Sequence, residues 1–265
     1  MKYTKSQIDI AGKALIDKKG IENIDRAILV LDEFRALHRY PLHIFNKRLK
    51  RTSESIDKNA LTVQRLKRLT SIVNKLGRSY HGKKPTMKLS RMQDIAGCRA
   101  VVSNIKLAKE LYQEGFIHSN IKHQKVNEKD YITYPKEDGY RSIHLIYRYL
   151  SDKGKKDFNG LLIEVQIRSK LQHMWATAVE TVDFFTSQAI KSNEGQEDWI
   201  NFFKLVSSAF AQFENCPTVP ETPKNKEELY SLIREKEKEL NVRTKMNHWT
   251  NTLRQFDQMK NLFSI

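Results

Sequence analysis

Two carboxylates lie far apart in the chain but sit against similar strand-like sequence: Asp94 in RMQDIAGCR (Arg91 to Arg99) and Glu164 in LLIEVQIRSKLQHMWA (Leu161 to Ala176). Asp94 precedes one apparent strand, and Glu164 falls in the middle of another. Acids gathered from distant sequence are how a divalent cation and the polyphosphate it neutralises are held together. The pair points to phosphoryl-group chemistry.

The period of LLIEVQIR gives the second acid a setting. Successive side chains of a strand face opposite ways, so Ile163, Val165 and Ile167 enter the core while Glu164, Gln166 and Arg168 share the other face. Crowding those three polar groups together is costly unless they bind one another, a metal or a ligand. A solvent-facing strand with a compensating Glu–Arg pair fits the same segment.

Between the acids runs YITYPKEDGYRSIHLIYRY, Tyr131 to Tyr149. Pro135, Asp138 and Gly139 predict a turn, and SIHLIYRY then alternates as a strand with Ser142, His144 and Arg148 on one face. Lys136, Tyr140 and Arg141 stand at the strand entrance. An aromatic ring can stack on a base while Lys and Arg hold phosphate, although an ordinary basic hairpin has the same composition. Upstream, LTVQRLKRLTSIVNKLGR (Leu61 to Arg78) begins as a short strand with Arg65 and Lys67 on one side, then turns helical and carries Lys75.

The ordered set of R-x-K, R-x-x-D-I-A-G-x-R, Y-I-x-x-P-K-x-x-G-Y-R-S-x-H, E-V-Q-I-R and W-A resembles the synthetase domain of the RelA/SpoT alarmone enzymes, from about Arg65 to Glu180. The resemblance implies transfer of pyrophosphate from ATP to the 3′-hydroxyl of GDP or GTP. It further implies that Arg65 and Arg99 sandwich the adenine, a stacking role suited to the planar guanidinium. Lys67 and Lys75 would hold the ATP phosphates. Asp94 and Glu164 would be the catalytic acids and bind Mg2+, with Glu164 also orienting or deprotonating the attacking hydroxyl. The acceptor side would be formed by Lys136, Tyr140, Arg141, His144, Gln166 and Arg168.

Two motifs depart from the family pattern. Asp138 stands where many synthetases have Asn, and WATAVET places Glu180 one residue late with Thr181 in place of a His. Both bear on the acceptor. So does charge, since 47 Lys plus Arg against 31 Asp plus Glu give +16, more than one nucleotide needs. Such an excess is a common mark of a nucleic-acid partner. Some toxin-like relatives modify the 3′ CCA end of tRNA and others make adenosine alarmones. Lys47, Arg48, Lys50 and Arg51, with the basic stretch from Arg65 to Lys84, are candidate RNA contacts, and a generally basic protein is the plainer reading. A neutralising antitoxin domain or protein is a partner implied by the toxin-like alternative, and an inactive nucleotide- or RNA-binding module is the third reading.

A chain of 265 residues with 39% hydrophobic residues can bury a core. The alternation of elements predicts an α/β (α+β) fold, a mixed central β-sheet flanked by helices, with helical N- and C-terminal extensions. The expected division is an N-terminal helical extension over 1–55, a pyrophosphokinase domain over 56–215, and a linker with C-terminal helix over 216–265. Trp199, Phe202, Phe203 and Phe210 read as core, and CPTVPETPKN as a linker. KEELYSLIREKEKELNVRTK reads as one amphipathic helix. No apolar run approaches the ~20 residues of a bilayer span. With no signal-peptide pattern and only Cys98 and Cys216, the latter in the linker and the former expected in the core, a cytoplasmic setting is expected. The absence of the family's hydrolase His–Asp pair and of a long regulatory region implies a compact, synthesis-only protein.

Overall fold

The computed structural model describes residues 2–17, 21–79, 86–152, 154–186 and 197–263; the end of the basic stretch, from residue 80, lies outside them. The chain divides into two compact units, Met1–Lys129 with Ile143–Arg168, and Asp130–Ser142 with Ser169–Ile265. The fold is α+β, as the sequence predicts.

The first unit opens with helices α1 (Lys5–Asp17), α2 (Ile21–Leu37) and α3 (Arg39–Ile56). In α2, Ala27, Val30, Leu31 and Phe34 are all buried, the spacing of one helical face. That face joins Ile8 and Leu15 of α1 in a cluster with Ile72, Leu76, Leu89, Met92 and Ile95. The cluster thereby fixes α4 (Leu69–Leu76), which carries Lys75, and Ile95, the neighbour of Asp94.

Strands β1 (Leu61–Leu66), β2 (Ala96–Val102), β3 (Gln124–Asp130), β4 (Ile143–Arg148) and β5 (Leu162–Ser169) form one mixed sheet in the order β1-β2-β5-β4-β3. Helix α5 (Ile105–Tyr112), capped by Asn104 accepting from the Leu107 N–H at 3.1 Å, follows β2. Ile163, Val165 and Ile167 of β5 are each 0% exposed, as the strand period requires. Burying each is worth roughly 1.5–3 kcal/mol, enough to fix the register that turns Glu164 and Gln166 to the other face. The expectation that Arg65 and Lys67 share a strand needs adjusting: β1 ends at Leu66, and Lys67 follows it with its N–H on the Ile95 carbonyl at 2.8 Å.

In the second unit, α6 (Lys170–Thr186) and α7 (Glu197–Phe213) meet through Trp175, Val179 and Val182 against Trp199, Phe202 and Phe203. The Trp175 indole N–H donates to the Phe203 carbonyl at 2.8 Å, satisfying its buried polar end. The aromatics are core, as read from sequence, and Phe210 packs against them half-buried. Cys216 to Asn225 is irregular, but not loose: Val219 is 1% exposed and its N–H donates to Ser208 Oγ at 3.0 Å. The single C-terminal helix expected from KEELYSLIREKEKELNVRTK is two, α8 (Lys226–Leu240) and α9 (Val242–Phe263). Asn241 breaks it in the left-handed conformation at φ 51°, which Asn tolerates better than most residues. Among the described residues no helix is long and apolar enough to cross a membrane.

Candidate active site

In the first unit the polar face of the sheet collects most of the expected donor-side residues. Asp94, two residues ahead of β2, receives Lys75 Nζ at 2.8 Å on Oδ1 and Lys67 Nζ at 2.9 Å on Oδ2. Burial works to raise its pKa, but the two ammoniums outweigh that and hold the carboxyl below its usual range. Lys67 follows β1, Lys75 lies in the last turn of α4 and Asp94 precedes β2, so three parts of the chain build this one cluster.

Glu164 is the second charged centre. His144 stands across the β4/β5 ladder from Gln166, and its Nδ1 lies 2.8 Å from Glu164 Oε1. Gln166 Nε2 donates to Glu164 Oε2 at 2.7 Å. Burial again pushes the carboxyl up, and the hydrogen bond and charge of His144, then the Gln166 amide, bring it below its usual value; the charge of Asp94 opposes them. The two acids therefore feel one another. Both are hard oxygen donors, the type Mg2+ prefers, and among the described residues no group of three or more His, Cys, Asp or Glu could hold a metal by itself. Two carboxylates suit a cation that takes its remaining ligands from phosphate and water.

Gln166 also orders the two arginines. Its Oε1 accepts from Arg99 Nε at 3.1 Å and from Arg168 Nη2 at 3.2 Å. Arg168 is only 3% exposed, whereas Arg99 is half-buried. In the β1/β2 register Arg65 faces Gly97 and Val63 faces Arg99, so Arg65 and Arg99 are diagonal neighbours on one face of the sheet. Arg65 is exposed. Sequence periodicity placed Gln166 on this face; its amide bridging of acid and arginines carries no sequence signal.

The loop holding Lys136 and Tyr140 belongs to the second unit. Asp138 Oδ1 accepts the Tyr140 N–H at 2.8 Å, so the residue that departs from the family pattern closes the turn. Gly139 has φ 88°, and a Cβ there would come within 2.9 Å of Ser207 Cβ, which requires glycine. Tyr131 and Tyr140 meet edge to face at 5.9 Å, with the Lys136 ammonium 5.0 Å and 5.4 Å from their ring centres. Arg141 is 3% exposed; its Nε donates to Ser207 Oγ at 3.0 Å and its Nη1 to the Ile132 carbonyl at 3.3 Å. Its donors tie the first limb of the loop, at Ile132, and helix α7, at Ser207.

The basic face of α3 is mixed. Lys47, Lys50 and Arg51 are exposed, but Arg48 Nη2 donates to the Gly115 carbonyl at 3.2 Å and to Ser119 Oγ at 2.9 Å, tying α3 to the π-turn Gln113–Ile117.

Residues 64–184 match the family described as "Region found in RelA / SpoT proteins". The chain is 33% identical over 125 residues to the GTP pyrophosphokinase YjbM of Bacillus subtilis, covering 45% of this chain and 54% of that protein. It is 36% identical over 118 residues to the GTP pyrophosphokinase YwaC of the same organism, covering 44% and 54%. The chain thus spans about half the length of these curated relatives. Its fold matches the small alarmone synthetase 1 of Bacillus subtilis bound to its product pppGpp with a TM-score of 0.58 at 23% identity, over 69% of this chain and 92% of that one. The motifs and the family match agree that residues 64–184 of this chain carry the region found in RelA/SpoT proteins, and the fold is that of the solved small alarmone synthetase.

Proposed function

We propose that the protein is a pyrophosphokinase that moves the β,γ-diphosphate of ATP onto the 3′-hydroxyl of GDP or GTP. The observation that carries this reading is the pairing on one unit of two interacting carboxylates, Asp94 and Glu164, with Lys67 and Lys75 at the first and the arginines Arg65 and Arg99 beside the second. Two curated relatives of this chain are named GTP pyrophosphokinases.

Lys67 and Lys75 release Asp94 to engage the incoming phosphates, and Arg65 and Arg99 take the two faces of the adenine. Asp94 and Glu164 would hold Mg2+, which when bound would neutralise phosphate charge in the displacement. Glu164 accepts the proton of the attacking 3′-hydroxyl on an oxygen kept ionised by His144 and Gln166. Tyr140 stacks on the acceptor base and Lys136 pairs with its phosphate. Arg141 shapes that loop from within.

A net charge of +16, with Lys47, Lys50 and Arg51 exposed on α3, favours a second acceptor, the 3′ end of tRNA. Labelled ATP offered with Mg2+ and, separately, GDP, GTP, ATP or tRNA decides between them. Transfer to the guanine nucleotides is expected; transfer to tRNA alone would replace this reading with the second.

A further inference from the structure

Helix α7 ends in a tightly defined way. The Cys216 N–H reaches back to the Ala211 carbonyl at 2.8 Å, the Asn215 N–H to the Gln212 carbonyl at 3.3 Å, and Asn215 has φ 53°. This is the paired-bond, left-handed helix stop in which the residue after the turn folds back over the last turn of the helix. Cys216 is that residue, and it returns to the face on which Ala211 and, one turn earlier, Ser207 stand. Its Sγ lies 3.6 Å from the Glu214 carbonyl. Ser207 is the residue on which Arg141 docks. Nη2 of Arg141, on a side chain 3% exposed, has no hydrogen-bond partner. A buried guanidinium nitrogen left without an acceptor is a costly arrangement that an anion relieves.

We propose that Cys216 is a peroxide-sensitive thiol whose anionic oxidised form is held by Arg141, so that its oxidation resets the loop Asp130–Ser142. Cys216 is partly exposed, whereas Cys98 is 2% exposed. Burial lowers the Arg141 pKa, and the charges of Cys216 and then Glu214 oppose that shift. The Glu214 carboxylate has its own partner, Gln172 Nε2 at 3.2 Å.

The step balances with hydrogen peroxide as oxidant. The Cys216 thiolate attacks one peroxide oxygen, the S–O bond forms as the O–O bond breaks, and the departing hydroxide takes a proton to become water. Sulfur gives up two electrons and is left as sulfenate. That anion offers Nη2 an acceptor and competes with Ser207 Oγ and the Ile132 carbonyl for the guanidinium. Ser207 Oγ also donates to the Gly139 carbonyl at 2.6 Å, so the disturbance reaches the residue before Tyr140. The effect on catalysis rests on the acceptor-loop reading above; the modification itself does not.

The test treats the full chain with stoichiometric hydrogen peroxide, traps sulfenate with dimedone, and maps the adduct by peptide mass spectrometry. Native protein should carry the adduct on Cys216 and none on Cys98, and in urea the preference should vanish. Arg141→Lys, lacking the forked second nitrogen, should label more slowly. Equal labelling of the two cysteines in native protein, or no adduct on Cys216, overturns the site even if no transfer activity is ever found. In the transfer assay, oxidation should change the acceptor KM several-fold and leave the ATP KM alone, while Cys216→Ser keeps its basal rate and ignores peroxide. An adduct on Cys216 with an unchanged acceptor KM overturns the coupling to the loop.

Discussion

Lys67 Nζ and Asp94 Oδ2 lie 2.9 Å apart, and Lys75 closes on the other oxygen of the same carboxylate at 2.8 Å. Asp94 is therefore neutralised by two lysines, and phosphate held by those lysines must rearrange these pairs. Lys67→Met should raise the ATP KM more than it lowers kcat, because it removes a group that meets ATP's ground-state charge. A kcat loss with the ATP KM unchanged would contradict the role given to Lys67.

Asp94→Asn and Glu164→Gln keep shape and remove charge. Each should lower kcat/KM by on the order of 10²-fold or more while the far-ultraviolet circular dichroism stays that of the parent. Near-parental turnover in either variant would remove that acid from the catalytic assignment.

Tyr140→Ala should raise the acceptor KM by the equivalent of roughly 1–3 kcal/mol, the worth of one base-stacking contact. Calorimetric ATP affinity should be unchanged. If it falls in parallel with activity, Tyr140 serves the donor.

His38 is 1% exposed, its Nδ1 bonded to the Phe34 carbonyl at 2.8 Å, and burial drives its pKa down to about 4 despite that bond. The folded state resists protonation there while the unfolded chain binds a proton near pH 6.5, so stability is full above that value and declines as pH falls toward 4. The loss from this one group is on the order of 3 kcal/mol. Thermal melts from pH 7 to pH 4.5 should show a decline that His38→Gln flattens, whatever the variant's own starting stability; an equal slope in both proteins refutes the assignment.

On α3 the neighbouring cations should separate cleanly. Arg48→Ala removes two hydrogen bonds to the π-turn and should cost about 1–3 kcal/mol in chemical denaturation. Lys50→Glu with Arg51→Glu should leave stability nearly unchanged, suppress any modification of tRNA and spare transfer to GDP. Loss of GDP transfer in the double variant would place α3 in the nucleotide site.

Periodicity was enough to read β5, because Ile163, Val165 and Ile167 alternate with polar residues and one buried face leaves a strand no choice of side. The same rule put Glu164 and Gln166 on one face of β5, whereas the β4/β5 register is what brings His144 to them. It could not say that Gln166 bridges Glu164 and Arg99, because a hydrogen bond between side chains depends on rotamers and register together. Arg141 and Arg48 show the other limit. A basic residue in a motif or a charge cluster reads as a phosphate contact, yet both send their donors to carbonyls and hydroxyls of their own fold, a distinction set by tertiary packing. The break at Asn241 was missed for a local reason: Asn continues a helix pattern on paper and ends a helix when its φ turns positive.

The central claim is best tested by the fate of the nucleotides. With Mg2+, ATP and GTP, the protein should form AMP one for one with a guanosine product that has gained two phosphates at its 3′ position, and Glu164→Gln should form neither. Formation of ADP with a singly phosphorylated product, or no AMP with either guanine nucleotide, would contradict it.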